Sequence, residues 1–432
     1  MSVSPESLQY ADQPPESRRL DNGLRVQVLS RPGLARAVIR VRVAAGSHDE
    51  PCEYPGLAHF LEHLLFLGSA GFTGEQRLMP FVQACGGQLN ASTQARHTDY
   101  FCEVPADRLE EALARLLDML ARPLFEIEAQ LREREVVHAE FVARGADAPT
   151  LIGAALGQAL PAGHRYGAFQ AGNRHSLAVE QADFQQALRE FHRRFYQAGQ
   201  LTLLLLGPQS PAALLALAEQ QAAVLPAGRR QPQSPPAALL PLRAQHLQLQ
   251  LASGAPSLQL CFALELSEAA QAEGLAAALA FLQTWLLSES PGGLLASLRG
   301  AGLCQGLAAH SLYRHGRQAL LLLSFSAVET TPEARAQIAA ALRQWLAFLA
   351  GQGAWAGLQD SYRALRQYQL HSLQPLALAL YWQDCGGADA VTNLAAVPEL
   401  LAQMQQAQLH TEQAKVDAAG RVREAEADLA AA

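Results

Sequence analysis

The stretch LAHFLEHLL, Leu57–Leu65, decides how the rest of the chain is read, because LAFLQTWLL at 279–287 aligns with it without a gap. Both stretches carry apolar residues at helical spacing. In the first, His59, Glu62 and His63 interrupt the apolar run; in the second the same positions hold Phe281, Thr284 and Trp285. Working outward, the two neighbourhoods repeat the same order of elements, which points to a divergent duplication.

Upstream of the first stretch, LRVQVLS and AVIRVRVAA alternate as strands should, and Pro32-Gly33 between them predicts a turn joining the two as neighbours. Gly68 is the stop signal for the helix. LMPFVQACGG reads as a second helix halted at Gly86-Gly87, followed by strands QLNAST and DYFCEVP. Asp107 is the expected N-cap of RLEEALARLLDMLA. Residues 126–142 form a long helix, and a loop with Gly163, Gly167 and Gly172 leads to the helix FQQALREFHRRFY and the strand LTLLLLG. After the proline-rich stretch 226–241, LQLQLAS and LQLCFALEL replay the opening strands. RGAGLCQGLAA and ALLLLSFS then replay the middle ones, and Thr331-Pro332 opens a further helix.

The expected fold class is α+β, with two duplicated domains, each a mainly antiparallel sheet with helices packed on one face. The division read from the chain is 1–225 for the domain with the histidine motif, 226–242 for a linker, 243–405 for a degenerate copy without the motif, and 406–432 for a polar helical tail or linker.

His59 and His63, four residues apart, project from one helix face and can share one ion. Three polar groups in an apolar run are costly to bury alone, and a shared metal removes that cost. Zinc would acidify a water and polarise a peptide carbonyl, and Glu62, beside His63, is placed to take the proton and later deliver it to the leaving amine. A catalytic zinc needs a third protein ligand, and the helix ending in HAEF supplies acidic candidates, chiefly Glu140. A five-residue pattern alone recurs by chance, and histidines on an amphipathic helix are more often structural. His138, two positions from Glu140, points elsewhere on its helix; His97 reads as a loop residue, His164 and His175 as turn residues, and His192 as part of a solvated face.

HFLEH resembles the inverted zinc signature of the pitrilysin and insulin-degrading-enzyme family. In that family a glutamate ligand follows the last histidine by about the 77 positions that separate His63 from Glu140 here. The resemblance therefore implies His59, His63 and Glu140 as ligands of one Zn2+ per chain and Glu62 as the general base. It also implies Glu133 as a residue that orients the ligands from behind, and Asn90, Ala91 and Ser92 as contacts to a bound peptide strand. GLAHFLEHLLFLG, FVQACGGQLNAST, LREREVVHAEFVA and FHRRFYQAGQ are similar in particular to the branch that processes the precursor peptide of pyrroloquinoline quinone (PQQ). The implied activity is a zinc-dependent endopeptidase acting on a small peptide. Single-chain members of the family have four such domains closing around the substrate, and two are read here. The resemblance thus implies a second pitrilysin-like half, as a partner chain, a homodimer or a missing C-terminal half. The alternative is a non-catalytic scaffold or peptide-binding subunit, although such relatives usually lose the metal residues.

Bulk properties bound the rest. A net charge of -7 and a pI near 6.0 argue against nucleic acid. No apolar run reaches the roughly 18 residues of a membrane span. The N-terminus lacks a basic segment followed by an apolar one. Six scattered cysteines without a CxxC pair read as reduced thiols, and a cytoplasmic location is expected.

Overall fold

The computed structural model describes residues 14–145, 147–167, 171–244, 248–249, 257–267, 274–328, 331–385, 393–407 and 415–416. These gather into two compact units. One is drawn from Met1–Gly145, Phe169–Ser234 and Leu370–Asp384, the other from Ala146–Ala168, Pro235–Gln369 and Cys385–Ala432.

The first unit is built on six strands: β1 (Glu16–Arg19), β2 (Arg25–Ser30), β3 (Arg36–Val43), β4 (Gln88–Thr93), β5 (Thr98–Pro105) and β6 (Leu201–Gly207), in the order β1-β2-β6-β3-β5-β4. The expected pairing of β2 with β3 does not occur. β6 slips between them, antiparallel to β3 (Ile39 opposite Leu205) and parallel to β2 (Val28 opposite Leu205). The reason lies in LTLLLLG, in which every residue but Thr202 is buried. A strand apolar on both faces belongs in the middle of a sheet, and the short turn at Pro32-Gly33 cannot hold β2 and β3 together against that. β1, from a polar stretch in which no strand was expected, extends the sheet along β2.

Alternation along these strands feeds two cores. Val26, Val28, Ile39, Val41, Leu203 and Leu205 meet the helices Leu57–Leu65, Leu109–Ala121 and Ala182–Phe195 on one face. On the other, Leu29, Val38, Leu204 and Leu206 are covered by Leu378, Ala379 and Trp382 of the helix Pro375–Cys385. Helices thus lie on both faces of this sheet, not on one. Arg40 and Arg42 share the second face. Arg40 donates to Asp99 at 2.6 Å and to the Leu380 carbonyl at 2.9 Å, and Arg42 donates to both Asp99 oxygens at 2.8 Å and to Asp384.

Asp107 does not cap the helix that begins at Leu109. It lies in a single 3-10 turn, Ala106–Arg108, that leads into that helix, and Arg108 takes the cap position without a side-chain bond. Gly86, at φ 63, ends the helix Leu78–Ala84 in a conformation that a side chain disfavours.

In the second unit, β7 (Gln248–Leu249) pairs with β11 (Lys415–Val416), and β8 (Ser257–Glu265), β9 (Gly306–His315) and β10 (Gln318–Ser326) form an antiparallel sheet in the order β8-β10-β9. Apart from Gln248–Leu249, most of LQLQLAS lies outside the described residues, as does most of the expected tail. Helices Gly274–Leu286, Pro332–Ala350 and Val397–Gln406 share this unit's core. Phe281, which replaces a histidine of the first copy, is fully buried in edge contact with Tyr362, and Thr284 donates to the Ala280 carbonyl of its own helix. Thr331 caps its helix by accepting from Ala334 N, as expected. The helix Ala148–Ala159, unread in the sequence, is capped by Asp147 accepting from Thr150 N. Cys52, Cys85, Cys102, Cys261 and Cys304 are free.

Candidate metal centre

The helix Leu57–Leu65 begins at Gly56, whose φ of 92 leaves no room for a side chain: an added Cβ would stand 2.1 Å from Gly172 Cα. This close approach brings the Ala171 carbonyl to His59 Nδ1 at 2.7 Å. The carbonyl can only accept, so Nδ1 carries the hydrogen and Nε2 keeps its lone pair. His63 repeats the arrangement with Nδ1 2.8 Å from Glu133 Oε1. The two Nε2 atoms then face each other at 3.2 Å.

The helix Ile127–Arg144 contributes both acids. Glu133 and Glu140 stand two turns apart and so lie on one face. The Glu140 oxygens lie 3.6 Å from His59 Nε2 and 3.7 Å from His63 Nε2. Donor atoms of His59, His63 and Glu140 all fall within 4.8 Å of one another, the one such group of three or more His, Cys, Asp or Glu among the described residues. A tetrahedral zinc with ligands at about 2.0–2.1 Å sets its donors about 3.3 Å apart, so these separations fit that ion. Arg144 sits 3.4 Å from Glu140.

Burial, helped by the neighbouring His63, drives the His59 imidazole down to about 4. At His63 burial also pulls downward, but the hydrogen bond to Glu133 and the charges of Glu140, Glu133 and Glu62 outweigh it and the net shift is upward. Glu62 is only 7% exposed, and burial pushes its carboxyl up against the opposing effects of Thr93 and His63. The Thr93 hydroxyl donates to Glu62 Oε2. A carboxylate with raised proton affinity is suited to accept a proton near neutral pH.

Asn90, Ala91 and Ser92 lie on β4, paired to β5 through Phe101, Tyr100 and Asp99. β4 ends the sheet order, so its other side has no strand partner among the described residues. An edge strand of this kind can receive an extended chain.

His138 stacks on Phe141 and is not among the converging donors. His97 lies 3.4 Å from Asp99, His164 is buried in edge contact with Tyr313, and the His175 amide donates to Asn173 within a turn. His192 is half-buried, not simply part of a solvated face: its Nε2 donates to the Leu120 carbonyl at 2.8 Å, and its ring stacks on Tyr196. Sequence reasoning passed over Thr93, although it ends the QLNAST strand, and over the Ala171 carbonyl, which no side-chain pattern could reveal.

Residues 25–159 match the family described as insulinase (peptidase family M16), and residues 184–355 match the peptidase M16 inactive domain. The chain is 51% identical over 330 residues to coenzyme PQQ synthesis protein F of Pseudomonas aeruginosa, covering 76% of the chain and 42% of that protein. It is 46% identical over 384 residues to the protein of the same name from Pseudomonas protegens, covering 88% of the chain and 45% of that protein. The crystal structure of pitrilysin superposes with a TM-score of 0.75 at 25% identity, over 90% of the chain and 43% of pitrilysin. The chain thus spans less than half the length of these relatives.

Proposed function

Because this chain belongs to the insulinase (M16) family of peptidases, we propose that it is the metal-bearing half of a zinc-dependent endopeptidase that cuts a small peptide. The observation that carries this reading is the convergence of His59 Nε2, His63 Nε2 and the Glu140 carboxylate, with both Nδ1 atoms committed to acceptors. These three would hold one Zn2+, and Glu133 would fix the tautomer and orientation of His63. When bound, the ion polarises the peptide carbonyl and acidifies a water molecule.

The chain's own residues do the rest. Glu62, aimed by Thr93, takes the proton of the attacking water and passes it to the leaving amine. Asn90, Ala91 and Ser92 hold the peptide as an added strand along β4. The names of the Pseudomonas relatives favour the precursor peptide of PQQ as substrate. The chain's share of their length favours a second pitrilysin-like half completing the enclosure. We propose a cytoplasmic location, in keeping with the scattered free thiols. No helix among the described residues is long and apolar enough to cross a membrane. In sequence we propose the domains 1–225, 226–242, 243–405 and 406–432, from which the compact units depart by drawing 146–168 into the second and 370–384 into the first.

One observation favours a second reading, a non-catalytic peptide-binding or scaffold subunit: the match of residues 184–355 to an inactive domain. The converging donors lie outside that stretch, within 25–159. The test is zinc content and peptide cleavage of the chain, with its partner half supplied, for the native protein, Glu62→Gln and His59→Ala. Native protein and Glu62→Gln should carry about one zinc, and His59→Ala essentially none. Cleavage should fall at least about a hundredfold in Glu62→Gln, the usual weight of general acid-base catalysis. Cleavage that survives Glu62→Gln would overturn the mechanism, and a native chain that takes up no zinc would leave the scaffold reading.

A further inference from the structure

His59 is the third residue of a helix only nine residues long, in the first turn, where backbone N–H groups have no partner within the helix and fraying begins. Gly56 takes the cap position and offers no side chain to restrain that turn. The restraint comes from Glu50, six residues upstream. Its Oε1 accepts from Gly56 N at 2.9 Å and its Oε2 from Ala58 N at 2.9 Å, so one carboxylate grips the turn on both sides of Leu57. Glu50 is 4% exposed, and its negative charge faces the positive end of the helix. The loop that carries it is itself fixed: Ser47 N donates to the Gln94 carbonyl at 3.0 Å and His48 N to the Ala95 carbonyl at 2.8 Å. Asp49 accepts from Gly46 N at 3.0 Å and from Gln233 at 2.9 Å.

We propose that Glu50 is a positioning residue for the metal centre, holding the first turn so that His59 Nε2 meets His63 Nε2 and Glu140. The inference rests on the zinc reading above, and it makes metal affinity, not only folding, depend on a carboxylate that touches no ligand. Its loop hangs from the tip of the β4–β5 hairpin, and Thr93 on the same hairpin holds Glu62. One hairpin tip therefore registers both ends of the motif, His59 through Glu50 and Glu62 through Thr93.

The experiment measures zinc dissociation constants by competition titration on the full chain, together with the visible spectrum of the cobalt-loaded chain and the thermal midpoint with and without zinc. The variants are Glu50→Gln and Glu50→Ala. Glu50→Gln keeps one acceptor and sets an amide against the second donor; Glu50→Ala removes both. The expected result is a dissociation constant raised a few-fold in Glu50→Gln and at least tenfold in Glu50→Ala. The cobalt bands should shift, and the zinc-induced rise in Tm should shrink. Should Glu50→Ala not fold, Glu50→Gln alone decides. Zinc affinity within twofold of native and an unchanged cobalt spectrum, even with a lower metal-free Tm, would make Glu50 a helix cap and nothing more. That result overturns this inference alone, whereas a native chain that binds no zinc overturns it together with the zinc reading.

Discussion

His63 stands between a carboxylate that raises its proton affinity and the point where a bound ion would need it neutral. Glu133 holds the proton on Nδ1, while a proton on Nε2 would occupy the lone pair that the metal requires. Because the His63 pKa is raised, zinc affinity should decline as pH falls through that elevated range. Glu133→Gln removes the charge that raises it, so the midpoint of the decline should move to lower pH, as measured by zinc titration across a pH series. An unmoved midpoint would show that Glu133 does not set the protonation of His63. The residues that the structure brings together at this centre were legible in the sequence, because ligand spacing on a helix is local and Glu140 stands at the distance that the family resemblance implies. The groups that orient them were less so. Glu133 came from the resemblance, whereas Ala171 acts through a backbone carbonyl and Glu50 through a loop, and neither leaves a periodic trace.

At the scale of elements, the helix Leu57–Leu65 is where packing and chemistry meet, and its two glycine neighbours set its place. Gly56→Ala puts a side chain at a φ of 92 and a Cβ 2.1 Å from Gly172 Cα. The backbone strain alone costs on the order of 1–3 kcal/mol. The contact must also push Ala171 away from His59, so zinc affinity should drop along with thermal stability. Gly33→Ala, at a glycine with a similar φ of 85 and open space around it, should lower stability without touching zinc affinity. Equal zinc affinity in the two variants would argue against the steric clasp. The helices around the centre were read well because a 3.6-residue apolar period is a local property, whereas Pro211–Gln221 and Pro375–Cys385 went unread. Strand partners were read less well. β2 and β3 look like a hairpin in sequence, and only the burial of both faces of β6 shows that a strand about 160 residues away must come between them. The helix Ala148–Ala159 was missed although Asp147 and Pro149 form a recognisable start, because its Ala-, Leu- and Gly-rich body is apolar nearly all round and shows no polar face to reveal the period.

At the scale of the molecule, the outer face of the first sheet is held by charge as well as by leucines. Asp99 is 4% exposed; burial alone would raise its pKa, but the hydrogen bonds and charges of Arg42 and His97 bring it far below the usual carboxylate range. A carboxyl group lowered on folding stabilises the fold above its unfolded value, about 3.9, and loses that contribution as pH falls toward the folded one. Acid should therefore weaken the native chain below about pH 4, and Asp99→Asn should flatten that part of the profile. The same variant should cost about 3–5 kcal/mol at neutral pH, because Arg40 loses its buried partner, with the loss moderated by Asp384. Denaturant unfolding between pH 3 and 7 measures both effects, and parallel profiles for the two proteins would remove Asp99 from the account. The helix Pro375–Cys385 that closes this face also bears on the order of synthesis. β6 emerges from the ribosome after five of the six strands, and the cover for Val38, Leu204 and Leu206 emerges about 170 residues later still. For that interval the nascent sheet presents an apolar surface with no cover from its own chain, the kind of exposure on which chaperones act.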